Sequence, residues 1–119
     1  MNAILLQEKI DRLLDSVRML LPDGSNIGFV YSDDLANLNK SVHDQMDELY
    51  ARRGETVEQE ATLCLAVLMG YNVSMYANSD DEKKKQFMLE RSKYILSQLP
   101  HSQLRTRLLY CCLRFVNQK

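Results

Sequence analysis

The chain has 119 residues, of which 45% are apolar and 26% charged, and its formal net charge is −1. These proportions are typical of a single globular domain and exclude a wholly disordered chain, a collagen-like chain and a disulfide scaffold. The longest apolar run, residues 63–69, is far shorter than the roughly 20 residues that span a bilayer, and no signal-peptide core is present, so we expect a cytoplasmic protein.

Two amphipathic helices are predicted in the first half of the chain. Within residues 3–21, apolar residues recur at steps of three and four, which is the spacing of one helix face. A loop or a short extended piece follows over residues 22–31. A second amphipathic helix begins at a cap formed by Ser32 or Asp33, and Gly54 follows its end.

The third predicted helix has no polar face. It begins at a capping box formed by Thr56 and Gln59, and residues 61–69 are apolar on nearly every side. Because such a helix is usually buried on most sides, we predict that it is the central helix of the fold. Gly70 either permits a close helix crossing or breaks the helix, and we favour a continuous helix to about Ala77.

Two further helices complete the prediction. The fourth follows a capping box of Ser79 and Glu82 and ends before Pro100, and the fifth begins near Ser102 with its arginines on the exposed flank. Five helices with short connections indicate an all-α fold. We therefore predict one compact bundle, with residues 1–119 forming a single helical domain.

Charge is distributed unevenly along the chain. Residues 1–79 carry 12 acidic and 6 basic side chains, whereas residues 80–119 carry 4 acidic and 9 basic side chains. Either the two parts pack together and neutralise each other, or the domain presents an acidic face and a basic face to different partners. A pI of about 6.1 argues against tight, non-specific binding of nucleic acid.

No combination of residues indicates an enzyme or a cofactor. Ser41, His43 and Asp44 are close neighbours on a predicted helix, where adjacent side chains point about 100° apart and cannot form a nucleophile–base pair. Asp80 and Asp81 are interpreted as charges at a helix N-terminus. The four glycines are dispersed, so no phosphate-binding loop is predicted.

The cysteines do not indicate a disulfide or a metal site. An odd count with an adjacent pair, Cys111 and Cys112, is a poor disulfide framework, and Cys64 is part of the apolar third helix. The two histidines lie far apart in the sequence, and neither is paired with a cysteine at helical spacing. We predict three reduced cysteines in or near the core and no bound metal.

Polar and aromatic residues follow the apolar part of the third helix. Tyr71, Asn72 and Tyr76 either hydrogen-bond inside the bundle or form a patch that faces a partner, since aromatic anchors dominate interface energetics. We take these three as the candidate partner-binding residues.

The sequence around this helix resembles the UpxZ family. The segments that carry the resemblance are EATLCLAVLMGYN at 60–72, VYSD at 30–33, LNK at 38–40 and YAN at 76–78, within about residues 28–112. UpxZ proteins are small regulators encoded in capsular polysaccharide loci, and they inhibit antitermination by the NusG-like UpxY proteins of other loci. The resemblance therefore implies a NusG-like antitermination protein as the partner. Members of that family continue past the final helix predicted here. The resemblance assigns no functional residues to this chain.

Three hypotheses about function follow. The first is a non-enzymatic transcription regulator that binds a NusG-like antitermination factor, as the resemblance implies. The second is a small nucleic-acid-binding regulator that uses the basic last 40 residues. The third is a helical module whose only activity is self-association.

Overall fold

Five α-helices make up most of the described chain. The computed structural model describes residues 2–20, 32–73 and 81–117. The helices are α1 (Asn2–Leu20), α2 (Ser32–Tyr50), α3 (Val57–Val73), α4 (Asp81–Leu96) and α5 (Gln103–Asn117). These segments contain no strand, so the prediction of an all-α fold is confirmed, and no helix in them is long and apolar enough to cross a membrane.

Some sequence predictions lie outside the described residues. They are the loop over residues 22–31, the extension of the third helix to Ala77, and Ser79 of the second capping box. Within the described part, α3 passes through Gly70 without a break, so the prediction of a continuous helix is confirmed as far as Val73.

The third helix lies at the centre of the bundle. α3 packs against each of the other four helices, and its residues 63–68 are at most 2% exposed. A helix that is apolar on all sides is stable in water only when other elements cover those sides. The other helices supply that cover, each from the apolar stripe that its own sequence carries.

Gly70 lets α2 approach α3 closely. A Cβ atom on residue 70 would lie 2.8 Å from the Cγ atom of Met46, which projects from α2. No side chain fits at this position unless Met46 moves. Close packing therefore explains a glycine that costs about 1 kcal/mol relative to alanine in a helix interior.

Side-chain caps mark the starts of α3 and α5. The Thr56 hydroxyl accepts a hydrogen bond from the Gln59 backbone N–H at 3.0 Å, and the Gln59 side-chain oxygen accepts one from the Glu55 N–H at 2.9 Å. Ser102 accepts a hydrogen bond from the Arg105 N–H at 3.2 Å. Both predicted caps are confirmed, except that Gln59 reaches Glu55 rather than Thr56 itself.

The turn between α2 and α3 packs tightly on the first turn of α3. A Cβ atom on residue 54 would lie 2.5 Å from the Glu60 Cα atom and 2.7 Å from the Gln59 carbonyl carbon. The Gly54 N–H donates a hydrogen bond to the Glu60 side chain at 2.8 Å. Because the crowding atoms belong to helix backbone, they cannot rotate away.

We expect Gly54→Ala to lower the free energy of unfolding by about 1–3 kcal/mol, since the helix backbone must shift to admit the methyl group. Urea denaturation measures this change. Gly70→Ala is the comparison, and we expect a smaller loss there, because its clash involves the Met46 side chain rather than helix backbone and alanine favours the helix by about 1 kcal/mol. A Gly54→Ala protein as stable as wild type would contradict the tight turn.

Candidate functional site

A buried ion pair joins α3 to α4. Arg91 Nε and Nη2 lie 3.0 and 2.8 Å from Glu60 Oε2, and Nη2 also lies 2.9 Å from Glu60 Oε1. Arg91 is 6% exposed and Glu60 is 8% exposed. Charges so far from water are tolerated only when they neutralise each other and their remaining donors and acceptors are hydrogen-bonded.

The same two side chains hold the turn between α2 and α3. Arg91 donates hydrogen bonds to the carbonyl oxygens of Tyr50 at 3.2 Å and Arg52 at 2.9 Å. Glu60 accepts the hydrogen bond from the Gly54 N–H described above. The pair thus links the end of α2, the first turn of α3 and the middle of α4, which is a structural role.

An aromatic side chain lies beside this ion pair. The ring centroid of Phe87 is 5.8 Å from the guanidinium carbon of Arg91 and 5.7 Å from that of Arg53. The ring of Tyr50 meets the Phe87 ring edge-on at 5.2 Å. These distances and orientations are typical of cation–π and edge-to-face contacts. Phe87 is still 40% exposed, so the cluster reaches the surface.

A second buried polar cluster surrounds His43 on α2. His43 is 1% exposed, with Nε2 3.1 Å from an Asp81 oxygen and Nδ1 3.5 Å from an Asp47 oxygen. Asp47 also accepts a hydrogen bond from the Lys84 ammonium at 2.8 Å. Asp81 is therefore more than the helix N-terminal charge that the sequence indicates: it is a buried partner of His43 and ties α4 to α2.

Tyr71, in the last turns of α3, is close to this cluster. Tyr71 is only 8% exposed, and its hydroxyl finds no hydrogen-bond partner in the described segments. Burial raises the pKa of Tyr71, and the carboxylates of Asp81 and Asp47 raise it further. The side chain of Asn72 and the whole of Tyr76 lie outside the described residues. The assignment of Tyr71, Asn72 and Tyr76 to a partner site stays a prediction.

Within the described segments, the ion pairs that connect the acidic first part of the chain to its basic last part include Lys84 with Asp47 and Arg91 with Glu60. Packing therefore neutralises part of the charge asymmetry at these residues, as the first alternative predicts. The cations of α5 take no part in it.

α5 carries apolar side chains on two faces. Its inward side chains are Leu104, Leu108, Cys111 and Cys112, all buried or half-buried in the core. Leu109, Tyr110 and Leu113 form what we call the outer face of α5, and they are 39%, 66% and 43% exposed. From the sequence we predict Leu104, Leu108, Cys111, Cys112 and Phe115 as the inward residues of this helix, and no outer apolar face. The signal for the outer face is the spacing of Leu109, Tyr110 and Leu113, which places them side by side on the helix.

Three arginines flank the outer face of α5. Arg107 and Arg114 are exposed, as the sequence predicts, and Arg105 is half-buried. Within the described segments, no carboxylate forms an ion pair with any of the three. The outer face is therefore both apolar and positively charged.

All three cysteines are buried and free, as the sequence predicts. Burial raises the pKa of Cys64 to about 11 and that of Cys111 to about 12, and it also raises the pKa of Cys112. Within the described residues, no group of three or more His, Cys, Asp or Glu side chains could hold a metal ion.

We expect the native protein to react with a thiol-alkylating reagent far more slowly than the urea-unfolded protein at mildly alkaline pH, because the thiolate is the nucleophile. Mass spectrometry of each cysteine measures the rates.

The raised pKa values also make the free energy of unfolding fall as pH rises from about 8.5 towards 11, since unfolded thiols ionise there while Cys64 and Cys111 stay protonated. Equal alkylation rates for native and unfolded Cys64 would contradict its burial.

Comparisons with known proteins agree with the fold and with the sequence motif. The model of the UpxZ family of transcription anti-terminator antagonists matches residues 10–114. The crystal structure of a transcription anti-terminator antagonist UpxZ from Bacteroides uniformis ATCC 8492 is similar, with a TM-score of 0.83 and 37% sequence identity over 95% of this chain and 70% of that chain. No curated protein sequence matches. The match extends beyond the expected residues 28–112 into α1.

Proposed function

This chain belongs to the UpxZ family of transcription anti-terminator antagonists, and we propose that it inhibits antitermination by binding a NusG-like anti-terminator protein directly. The proposal includes no chemical step and no contact with nucleic acid. The observation that carries it is the family match over residues 10–114. We further propose that it acts in the cytoplasm and that, as the resemblance implies, its targets are anti-terminators of capsular polysaccharide loci.

Direct binding explains antagonism without catalysis. A bound antagonist covers a surface that the anti-terminator needs for the elongating polymerase, or it removes the anti-terminator from solution. Either route predicts that the degree of inhibition depends on the molar ratio of this protein to the anti-terminator. The buried links from α3 to α4 and from α2 to α4 favour a preformed binding surface, and preformed surfaces lose less conformational entropy on binding.

The test is binding of the purified protein to several purified NusG-like anti-terminators, measured by calorimetry with and without nucleic acid. We expect binding to at least one of them without nucleic acid. In a reconstituted transcription reaction, read-through of the terminator should then fall as this protein is added. It should reach its lowest level when the two proteins are present in equal amounts. Absence of binding to every anti-terminator would contradict the proposal.

The nucleic-acid alternative makes a different prediction in the same experiment. Binding to leader RNA through phosphate contacts weakens by about 0.7–0.9 log units per log unit of salt for each contact. Salt-sensitive binding to RNA, together with no binding to any anti-terminator, would replace the proposal with that alternative.

We also propose, from the sequence, that Asn72 and Tyr76 contact the partner. Tyr71 is buried, so its part in such a contact is to support its neighbours. We expect the double substitution Asn72→Ala and Tyr76→Ala to weaken binding, measured by calorimetry. Tyr71→Phe is the control, because it removes a buried hydroxyl that has no hydrogen-bond partner in the described segments. Unchanged binding by the double variant would remove this contact and leave the proposed function intact.

A further inference from the structure

The side chains of the outer face of α5 are spaced so that they form one continuous surface. Leu109 and Leu113 are four residues apart, and Tyr110 is three residues before Leu113, so the three side chains form one continuous surface. Tyr110 is 66% exposed, although a ring of this size is the kind of side chain that dominates interface energetics when it is covered. α5 already covers the core with its other face, so the outer face makes no contribution to the core.

The charges around this stripe have one sign. Arg105 precedes Leu109 by one helical turn, while Arg107 and Arg114 lie one turn before and one turn after Tyr110 on the other flank. After Glu90 the chain contains six lysine or arginine residues and no aspartate or glutamate. The stripe is therefore bordered by cations on both sides, and its own helix supplies no carboxylate to pair with them.

We propose that, in addition to the contact proposed for Asn72 and Tyr76, the outer face of α5 binds the anti-terminator, and that it takes an apolar patch bordered by acidic side chains. This inference rests on the proposed function and adds the surface and the chemistry of the partner. Tyr110 and Leu113 supply the apolar anchor. The arginines pair with the acidic border, which raises the association rate and fixes the orientation of the complex.

Charge argues against a second copy of the chain that binds through the same face. Two α5 outer faces brought together would place three arginines of one copy against three of the other, and like charges in an interface are unfavourable. An acidic border on a different protein removes that repulsion.

The apolar residues at the centre of this face argue against nucleic acid as its binding partner. Phosphate groups bind lysine and arginine side chains and backbone N–H groups. Two leucines in the middle of the stripe gain nothing from a phosphate, whereas they lose contact with water against an apolar protein surface.

The experiment measures binding of α5 variants to a purified NusG-like anti-terminator. Tyr110→Ala with Leu113→Ala tests the apolar anchor, and its matched control is Tyr94→Ala on α4, where the tyrosine is 71% exposed. Arg107→Glu with Arg114→Glu tests the charges, and its control is Lys83→Glu, which changes an exposed cation on α4. Alanine favours helix and the apolar sites are exposed, so circular dichroism should show unchanged folding.

We expect the apolar double variant to bind about tenfold or more weakly than wild type, and the Tyr94→Ala and Lys83→Glu controls to stay within about twofold. The arginine variant should associate more slowly, and its association rate should depend less on salt. If wild type binds the anti-terminator and both double variants bind it as tightly as wild type, the α5 proposal is overturned and the proposed function stands. Wild type that binds no anti-terminator would overturn both.

Two further outcomes would also overturn the α5 proposal. One is a dimer in sedimentation that Tyr110→Ala abolishes and Tyr94→Ala does not, because the face would then serve self-association. The other is leader-RNA binding that the arginine variant loses while anti-terminator binding is unchanged in all variants.

Discussion

Arg91→Ala is expected to lower the free energy of unfolding by about 3–5 kcal/mol, as the loss of one partner from a buried ion pair does. The substitution leaves the Glu60 carboxylate buried and deprives the Tyr50 and Arg52 carbonyl oxygens of a donor. A loss of this size is a large fraction of the stability of a small domain. Urea denaturation followed by circular dichroism measures it.

The matched control for Arg91→Ala is Arg52→Ala. The Arg52 guanidinium lies 3.7 Å from Glu48, and its side chain is 47% exposed. An exposed pair of this kind contributes about 0–1 kcal/mol. Adding Glu60→Ala to Arg91→Ala should cost less than the sum of the single losses, because the two side chains interact directly. Similar losses for Arg91→Ala and Arg52→Ala would refute the importance of the buried pair.

Leu68→Ala is expected to cost about 2–5 kcal/mol, since it removes buried methyl groups and leaves a cavity in the centre of the bundle. Leu68 is fully buried on α3, and Leu65, at 2% exposure, should behave in the same way. Thermal and urea unfolding measure the losses. Leu5→Ala is the control, because Leu5 is 57% exposed on α1 and its truncation leaves no cavity. Losses below about 0.5 kcal/mol for both Leu65→Ala and Leu68→Ala would show that α3 is not the core helix.

The helices themselves could be predicted from the sequence because their signals are local. Apolar residues at steps of three and four define the buried faces of α1 and α2, and Thr56 and Ser102 cap the helices that follow them. The absence of a polar face on α3 was enough to predict its central position. The family could also be identified at this level, because residues 60–72 are a contiguous motif.

Which side chains are buried and which are exposed could be predicted less well, since burial depends on which faces meet. Tyr71 interrupts an apolar helix, a pattern that is equally consistent with a buried side chain and with an exposed anchor, and the tertiary structure buries it. The outer face of α5 was missed because its residues adjoin the inward ones along the sequence. Only packing shows which of two apolar faces is covered.

The sequence by itself determined where helices form, which of them is central and which family the chain belongs to, because periodicity, caps and a contiguous motif are properties of neighbouring residues. The tertiary structure alone decided that Arg91 and Glu60, 31 residues apart, form a buried pair, and that His43 meets Asp81 across 38 residues. Helical periodicity specifies the direction of a side chain on its own helix and contains no information about the helix that it faces. That choice depends on how five helices fill the space around α3 together.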